Sequence, residues 1–148
     1  AEAAGIRVVR VRTGIVLTPD GGALARMLPI FKLGAGGRLG SGKQWFPWIS
    51  LTDEVAAIKF ALTHDNVSGA LNLTSPNPVT NAEFTKALGR AVKRPALAAV
   101  PPFALKLGLG GFAEEGLLFS QRAVPQALIG AGFAFTDSDL HMALSQML

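Results

Sequence analysis

Between Gly34 and Glu54 the chain reads GAGGRLGSGKQWFPWISLTDE, and no regular helix can run through it. Five glycines (Gly34, Gly36, Gly37, Gly40, Gly42) release the backbone, since glycine takes positive φ and allows close approach at little cost. Both tryptophans of the chain, Trp45 and Trp48, then fall within four residues, with Phe46 and Pro47 between them. An indole with one polar edge suits a pocket wall. Gln44, Trp45 and Trp48 are therefore expected to line a ligand site, the alternative being that the rings fill core. Gly34, Gly37 and Gly40 match a G-x-x-G-x-x-G spacing, but a phosphate-cradling turn needs a strand before it and a helix after it. Here a segment of helical spacing precedes (Leu24, Met27, Leu28, Phe31) and SGKQWFPW follows, so the stretch reads as a connection after a helix.

On either side the patterns alternate. Ile6 to Leu17 is rich in β-branched residues and predicts a strand, with Thr13-Gly14 marking a bend or a close backbone approach. Thr18 to Gly22 is a turn by composition, and the helix from Ala23 should kink or lose regularity at Pro29. Ser50 or Thr52 can cap a helix whose apolar face would be Val55, Ile58, Ala61 and Leu62. Ala70 to Thr74 predicts a short strand. Thr80-Asn81-Ala82-Glu83 has the capping-box pattern and opens a helix with Phe84, Leu88, Ala91 and Val92 on one face. This alternation predicts an α/β fold.

From Ala96 the texture becomes mostly helical, with helices expected over Phe103 to Leu109 and Phe112 to Phe119, and a short one starting at Pro125. Phe133 and Phe135 alternate as in a strand, and Asp137 or Ser138 should cap a last helix through Leu140, Ala143 and Leu144. We expect an α/β portion over residues 1–95 and a smaller helical lobe over 96–148. The opening AEAAGIRVVRV reads as a helix end running into a strand, so the chain is expected to be part of a longer protein.

Composition removes several classes. The 148 residues suffice for one core, and no apolar run reaches the roughly 18 residues of a membrane span. Net charge is +4, but only Arg90, Lys93 and Arg94 cluster, at a helix end where cations complement the dipole. Nucleic acid is thus not an expected partner. The absence of cysteine excludes disulfides and thiolate metal sites and is compatible with a cytoplasmic location.

No nucleophile motif and no metal-ligand spacing stands out, so neither catalytic nor metal residues are assigned. His64 and His141 have no partner set around them; Asp53-Glu54 has the makings of an acid/base pair, but two acids in a first helical turn read rather as dipole complements. Arg12 lies on a strand otherwise suited to burial; a buried guanidinium needs an anion, either a carboxylate or a ligand phosphate. Gln121 and Arg122 interrupt an apolar region and are candidates for the same cleft.

Three stretches in order, RVVRVRTGIVLTPDGGALARMLPIFKLGAGGRLGSGKQWFPWISLTDEVAA, GALNLTSPNPVTNAEF and SQRAVPQALIGAGF, carry a family likeness. Together they resemble the C-terminal half of the NAD(P)-dependent epimerase/dehydratase-like proteins. These belong to the extended short-chain dehydrogenase/reductase superfamily, and the subgroup ends in a small domain of unknown function. The resemblance implies the C-terminal part of a Rossmann-like parallel sheet plus a substrate-side lobe. It implies NADP or NAD as cofactor, Arg12 as a cofactor-contacting position, and Gly14, Val16 and Leu17 beside the nicotinamide. Gln44, Trp45, Trp48, Gln121 and Arg122 would face a small-molecule substrate, with a nucleotide sugar as a candidate. The glycine-rich cofactor turn and the Tyr-x-x-x-Lys pair of that superfamily are absent from this chain, which has no tyrosine. By itself the segment is expected not to catalyse, and its exposed sheet edge should promote association or oligomers. The alternative expectation is a non-catalytic binding module on the same fold.

Overall fold

The computed structural model describes residues 2–96, 98–100 (backbone only) and 120–148. The helices expected over 103–109 and 112–119 lie outside the described residues. The strand run near the start divides into β1 (Val9–Thr13) and β2 (Ile15–Leu17), separated by Gly14. β1 pairs in parallel with β6 (Gly69–Leu73), Val9 opposite Gly69 and Thr13 opposite Leu73, whereas β2 pairs in parallel with β5 (Trp48–Ser50). Two further pairs complete the strands. β3 (Gly37–Leu39) runs parallel to β8 (Ala98–Val100), and β4 (Trp45–Phe46) antiparallel to β7 (Val79–Thr80). The mainly parallel α/β architecture is the expected one.

Helix α1 (Gly22–Lys32) runs through Pro29 rather than ending there, and buries Leu24, Met27, Leu28 and Phe31. A proline late in a helix forfeits one backbone bond, which the burial of this face outweighs. In α3 (Asn81–Ala91) both halves of the capping box form: the Glu83 backbone N–H donates to Thr80 Oγ1 (3.3 Å), and the Thr80 N–H donates to Glu83 Oε2 (2.6 Å). Accepting from the Thr80 N–H and also from the Thr80 hydroxyl (2.8 Å) holds the Glu83 carboxyl below its usual range. One core gathers α1 and α3 with Leu17, Leu39, Phe46, Trp48 and the last helix, α5 (Leu140–Met147). A second gathers Ile49, Ala57, Ala61, Leu71 and Leu73 with Leu128 of α4 (Gln126–Gly130). The C-terminal helices thus contribute to both.

Three expectations about elements are corrected. Helix α2 (Leu51–Thr63) buries Asp53, Glu54, Ala57 and Ala61, while Val55, Ile58 and Leu62 face outward, Leu62 being 72% exposed. Helical periodicity is there, but the small-residue face meets the strands, and the larger side chains have no cover among the described residues. Phe133 and Phe135 lie in irregular chain; their edge-to-face contact (4.8 Å between centroids) seals the second core without a strand ladder. The last helix is capped by Asp139, whose Oδ1 accepts from Met142 N at 2.9 Å, rather than by Asp137 or Ser138. None of the described helices is long and apolar enough to cross a membrane.

The Thr80 cap should be separable from the rest of the fold. Replacing Thr80 with alanine in the protein that carries this chain is expected to lower its unfolding free energy by about 1 kcal/mol in urea titrations. An unchanged midpoint and slope would remove the capping box from the stabilising contacts.

Candidate functional site

Gly14 is where the chain changes partners. Its own N–H donates to Leu73 O (3.0 Å), closing the ladder with β6, and the next N–H, of Ile15, donates to Pro47 O (2.6 Å), opening the ladder toward β5. A Cβ at this position would collide with the Pro47 carbonyl oxygen and stand 3.0 Å from Thr74 Cγ2. Glycine is required here by contact with backbone, which cannot move aside as a flexible side chain does.

Around this switch lies a cavity of about 500 Å³. Arg12, Thr13 and Gly14, at the C-terminal end of β1, form one side of it. Asn72 and Thr74, at the corresponding end of β6, and Pro47 form another. In open parallel sheets the C-terminal strand ends are where ligands bind, because loops diverge there and leave a crevice. Gln121, Arg122 and Ala123 complete the lining among the described residues. They are held by Asn72 Nδ2 donating to Val124 O (3.2 Å), and by Ser120 Oγ accepting from Trp45 N (3.1 Å). The Arg122 guanidinium lies 5.2 Å from the centroid of the Trp45 ring, a cation–π distance.

The structure therefore brings together Arg12, Gly14, Gln121 and Arg122, four of the nine residues singled out in the sequence. Trp45 joins them indirectly, under Arg122. The other four do not reach the cavity. Trp48 is 1% exposed inside the first core, so its expected role as a lining residue is corrected: all three residues of β5 are buried. Leu17 is fully buried and Val16 packs on the second core. Gln44 donates from Nε2 to Leu39 O (3.0 Å), a backbone brace. Arg12 is exposed, with no ion-pair partner among the described residues, because β1 has β6 as its strand partner and no layer over its face. The expectation of a buried guanidinium is corrected accordingly.

Sequence reasoning missed Thr13, Asn72 and Thr74. Their signal was positional: each stands at or just past the C-terminal end of a strand in a parallel pair. The acids of α2 also have roles beyond the helix dipole. Asp53, 1% exposed, accepts at one oxygen from Thr136 N and at the other from Asp137 N (2.9 Å each), tying the C-terminal segment to α2. Glu54, 7% exposed, accepts from Thr13 Oγ1 at 2.9 Å, and its other oxygen is buried without a partner among the described residues. Burial raises the Glu54 carboxyl above its ordinary value, and the Thr13 hydroxyl offsets part of that rise.

The chain spans about half the length of the curated relatives it matches. A family model described as a domain of unknown function (DUF1731) matches residues 100–147. An epimerase family protein of Mycobacterium tuberculosis is 55% identical over 144 residues, which are 97% of this chain and 48% of that protein. The crystal structure of human epimerase family protein SDR39U1 with NADPH superposes with a TM-score of 0.88 at 36% identity, covering 99% of this chain and 52% of that one. The nucleoside-diphosphate sugar epimerase of Corynebacterium glutamicum gives 0.73 at 34% identity, covering 100% of this chain and 27% of its own.

Two outcomes check the geometry. Gly14→Ala should cost about 2 kcal/mol of stability, as overpacking against fixed backbone does; a neutral effect in urea unfolding would contradict the close approach to Pro47. Glu54 has a raised carboxyl in the fold, so the folded state keeps its proton where the unfolded chain has released it. The stability this contributes is complete below the reference value of 4.5 and is lost as pH rises through the folded value. Stepping the pH upward in unfolding experiments should therefore weaken the wild type relative to Glu54→Gln, and parallel pH slopes would refute the burial cost.

Proposed function

We propose, on the premise that this chain is the C-terminal part of an epimerase family protein, that it forms the substrate-side wall of an NAD(P)-dependent epimerase-like oxidoreductase. The observation that carries this reading is the cavity at the C-terminal ends of β1 and β6, flanked by Arg12 and Arg122 and lined by no carboxylate among the described residues. Two guanidiniums with amide and hydroxyl groups between them fit an anionic ligand such as a sugar diphosphate or a dinucleotide. The human SDR39U1 crystal structure is one with NADPH, and the Corynebacterium glutamicum relative is a nucleoside-diphosphate sugar epimerase, which supports the same ligand classes here. A bound nicotinamide would supply hydride exchange. This chain's residues bind and orient: the arginines neutralise phosphate charge, and Gly14 lets a ligand approach the backbone. Val16, Leu17, Gln44 and Trp48 would act from beneath, as the rigid bed of that wall. In the same reading residues 1–95 form the α/β portion and residues 96–148 the smaller lobe on the substrate side.

The rest of the protein, in this reading, is the half of the relatives that this chain does not span. Two surfaces left uncovered among the described residues support its docking here: the exposed face of β1 with Val11, and the outward stripe of α2, Leu51, Val55, Ile58 and Leu62. Covered in this way they leave no aggregation-prone edge; left open they favour association of the isolated segment, as a homo-oligomer or less specifically. The cysteine-free composition supports a cytoplasmic setting.

A second reading rests on the cavity lining itself, which among the described residues holds no side chain that exchanges protons near neutral pH. The protein would then bind its ligand without turnover.

Calorimetric titration of the full-length protein with NADPH and with UDP-glucose tests both. Arg12→Ala and Arg122→Ala should each weaken one of these ligands by about tenfold or more, the usual cost of a lost charge-assisted hydrogen bond. Unaltered affinities would take the arginines out of the site. Binding without any turnover would select the second reading.

A further inference from the structure

Glu54 is an expensive residue in its position. Its carboxyl is 7% exposed, one oxygen has no partner among the described residues, and an apolar or amide side chain would avoid the penalty. Its one hydrogen bond goes to Thr13, which lines the cavity. A threonine hydroxyl has one hydrogen and two lone pairs, and here the hydrogen is committed to Glu54 Oε1 at 2.9 Å. Thr13 can then meet a ligand only as an acceptor. Its neighbours lean the same way: Asn72 spends one amide hydrogen on Val124 O, and Thr74 turns its hydroxyl toward Ala123 O at the long distance of 3.5 Å.

We propose that Glu54 is a positioning residue that fixes Thr13 as a hydrogen-bond acceptor, so that the cavity selects an anionic ligand bearing an O–H or N–H donor at this point. The inference rests on the proposed function and deepens it. Arginines at the rim hold the charged part; the Thr13 oxygen reads the neutral part beyond it. Two sources supply that chemistry, a sugar hydroxyl or a carboxamide N–H, and they are separable because they belong to different molecules. Ionised Glu54 is a stronger acceptor than a backbone carbonyl, and a hydroxyl polarised by it becomes a better acceptor in turn.

The test uses the full-length protein, calorimetry with UDP-glucose and NADPH as probes, and four variants. Thr13→Val removes the hydroxyl, Glu54→Gln removes the charge, the double variant combines them, and Thr13→Ser retains the hydroxyl. For one probe, Thr13→Val and Glu54→Gln should each weaken binding by about tenfold. The double variant should be no weaker than the worse single, and Thr13→Ser should match the wild type, while the other probe is unaffected. The probe that responds identifies the source, sugar hydroxyl for UDP-glucose and carboxamide for NADPH. Glu54→Gln without effect on either probe overturns the proposal, as does strict additivity in the double variant. Thr13 is exposed and valine is its near-isostere, so Thr13→Val opens no cavity, and equal affinity of that variant and the wild type for both probes overturns the proposal on its own. Failure of both probes to bind the wild type overturns the proposed function, and this inference with it.

Discussion

The approach of Gly14 to the Pro47 carbonyl is the constraint on which the site is built. One residue closes the β1–β6 ladder and the next opens the β2–β5 ladder, so a single extended run serves two strand partners within two peptide units. Parallel pairing of β1 with β6 sets Arg12 opposite Asn72 and Thr13 opposite Leu73, and these strand ends bound the cavity. The glycine that permits the switch also leaves the backbone bare where a ligand would come closest. Packing and topology meet at that residue.

The adjacent acids of α2 show how much local partnership matters. Asp53 is more deeply buried than Glu54, yet each of its oxygens accepts a backbone N–H, and it secures the segment that leads into α5. Glu54 keeps one oxygen without a partner among the described residues, and its other oxygen accepts from the hydroxyl of the cavity-lining Thr13 at 2.9 Å. Both occupy the first turn of a helix capped by Ser50, where negative charge is favoured. The helix explains why acids are tolerated there; the partners explain what each one does.

Much of this fold was legible where the signal is local. The Thr80–Glu83 box can be read as a cap from spacing alone, because the groups it satisfies are three residues away, and of Ser50 and Thr52, both readable as caps, the structure uses Ser50. The strand with a break at Thr13-Gly14 is equally local. Burial was not. The stripe of Val55, Ile58 and Leu62 has the right period for a core face, but the face that packs here is the one with Ala57 and Ala61. Periodicity says that a helix has two faces, and only the layers around it decide which is covered. Trp48 and Arg12 fail for the same reason in opposite directions: the indole is enclosed by neighbours distant in sequence, and the guanidinium lacks the layer that would enclose it. Thr13, Asn72 and Thr74 leave no periodic trace, since short polar side chains at strand ends resemble any turn. Gln121 and Arg122 were readable as polar interruptions, and their place in the cavity lining follows from tethers to β6 and Trp45.

In the proposed reading, strand ends from β1 and β6 and the segment carrying Gln121 and Arg122 act as a single ligand-binding surface. Hydrogen–deuterium exchange of the full-length protein, with and without saturating NADPH or UDP-glucose, tests it directly. Binding should slow exchange together at residues 12–14, 72–74 and 121–123. Protection confined to other parts of the protein, with these three stretches unchanged, would contradict it.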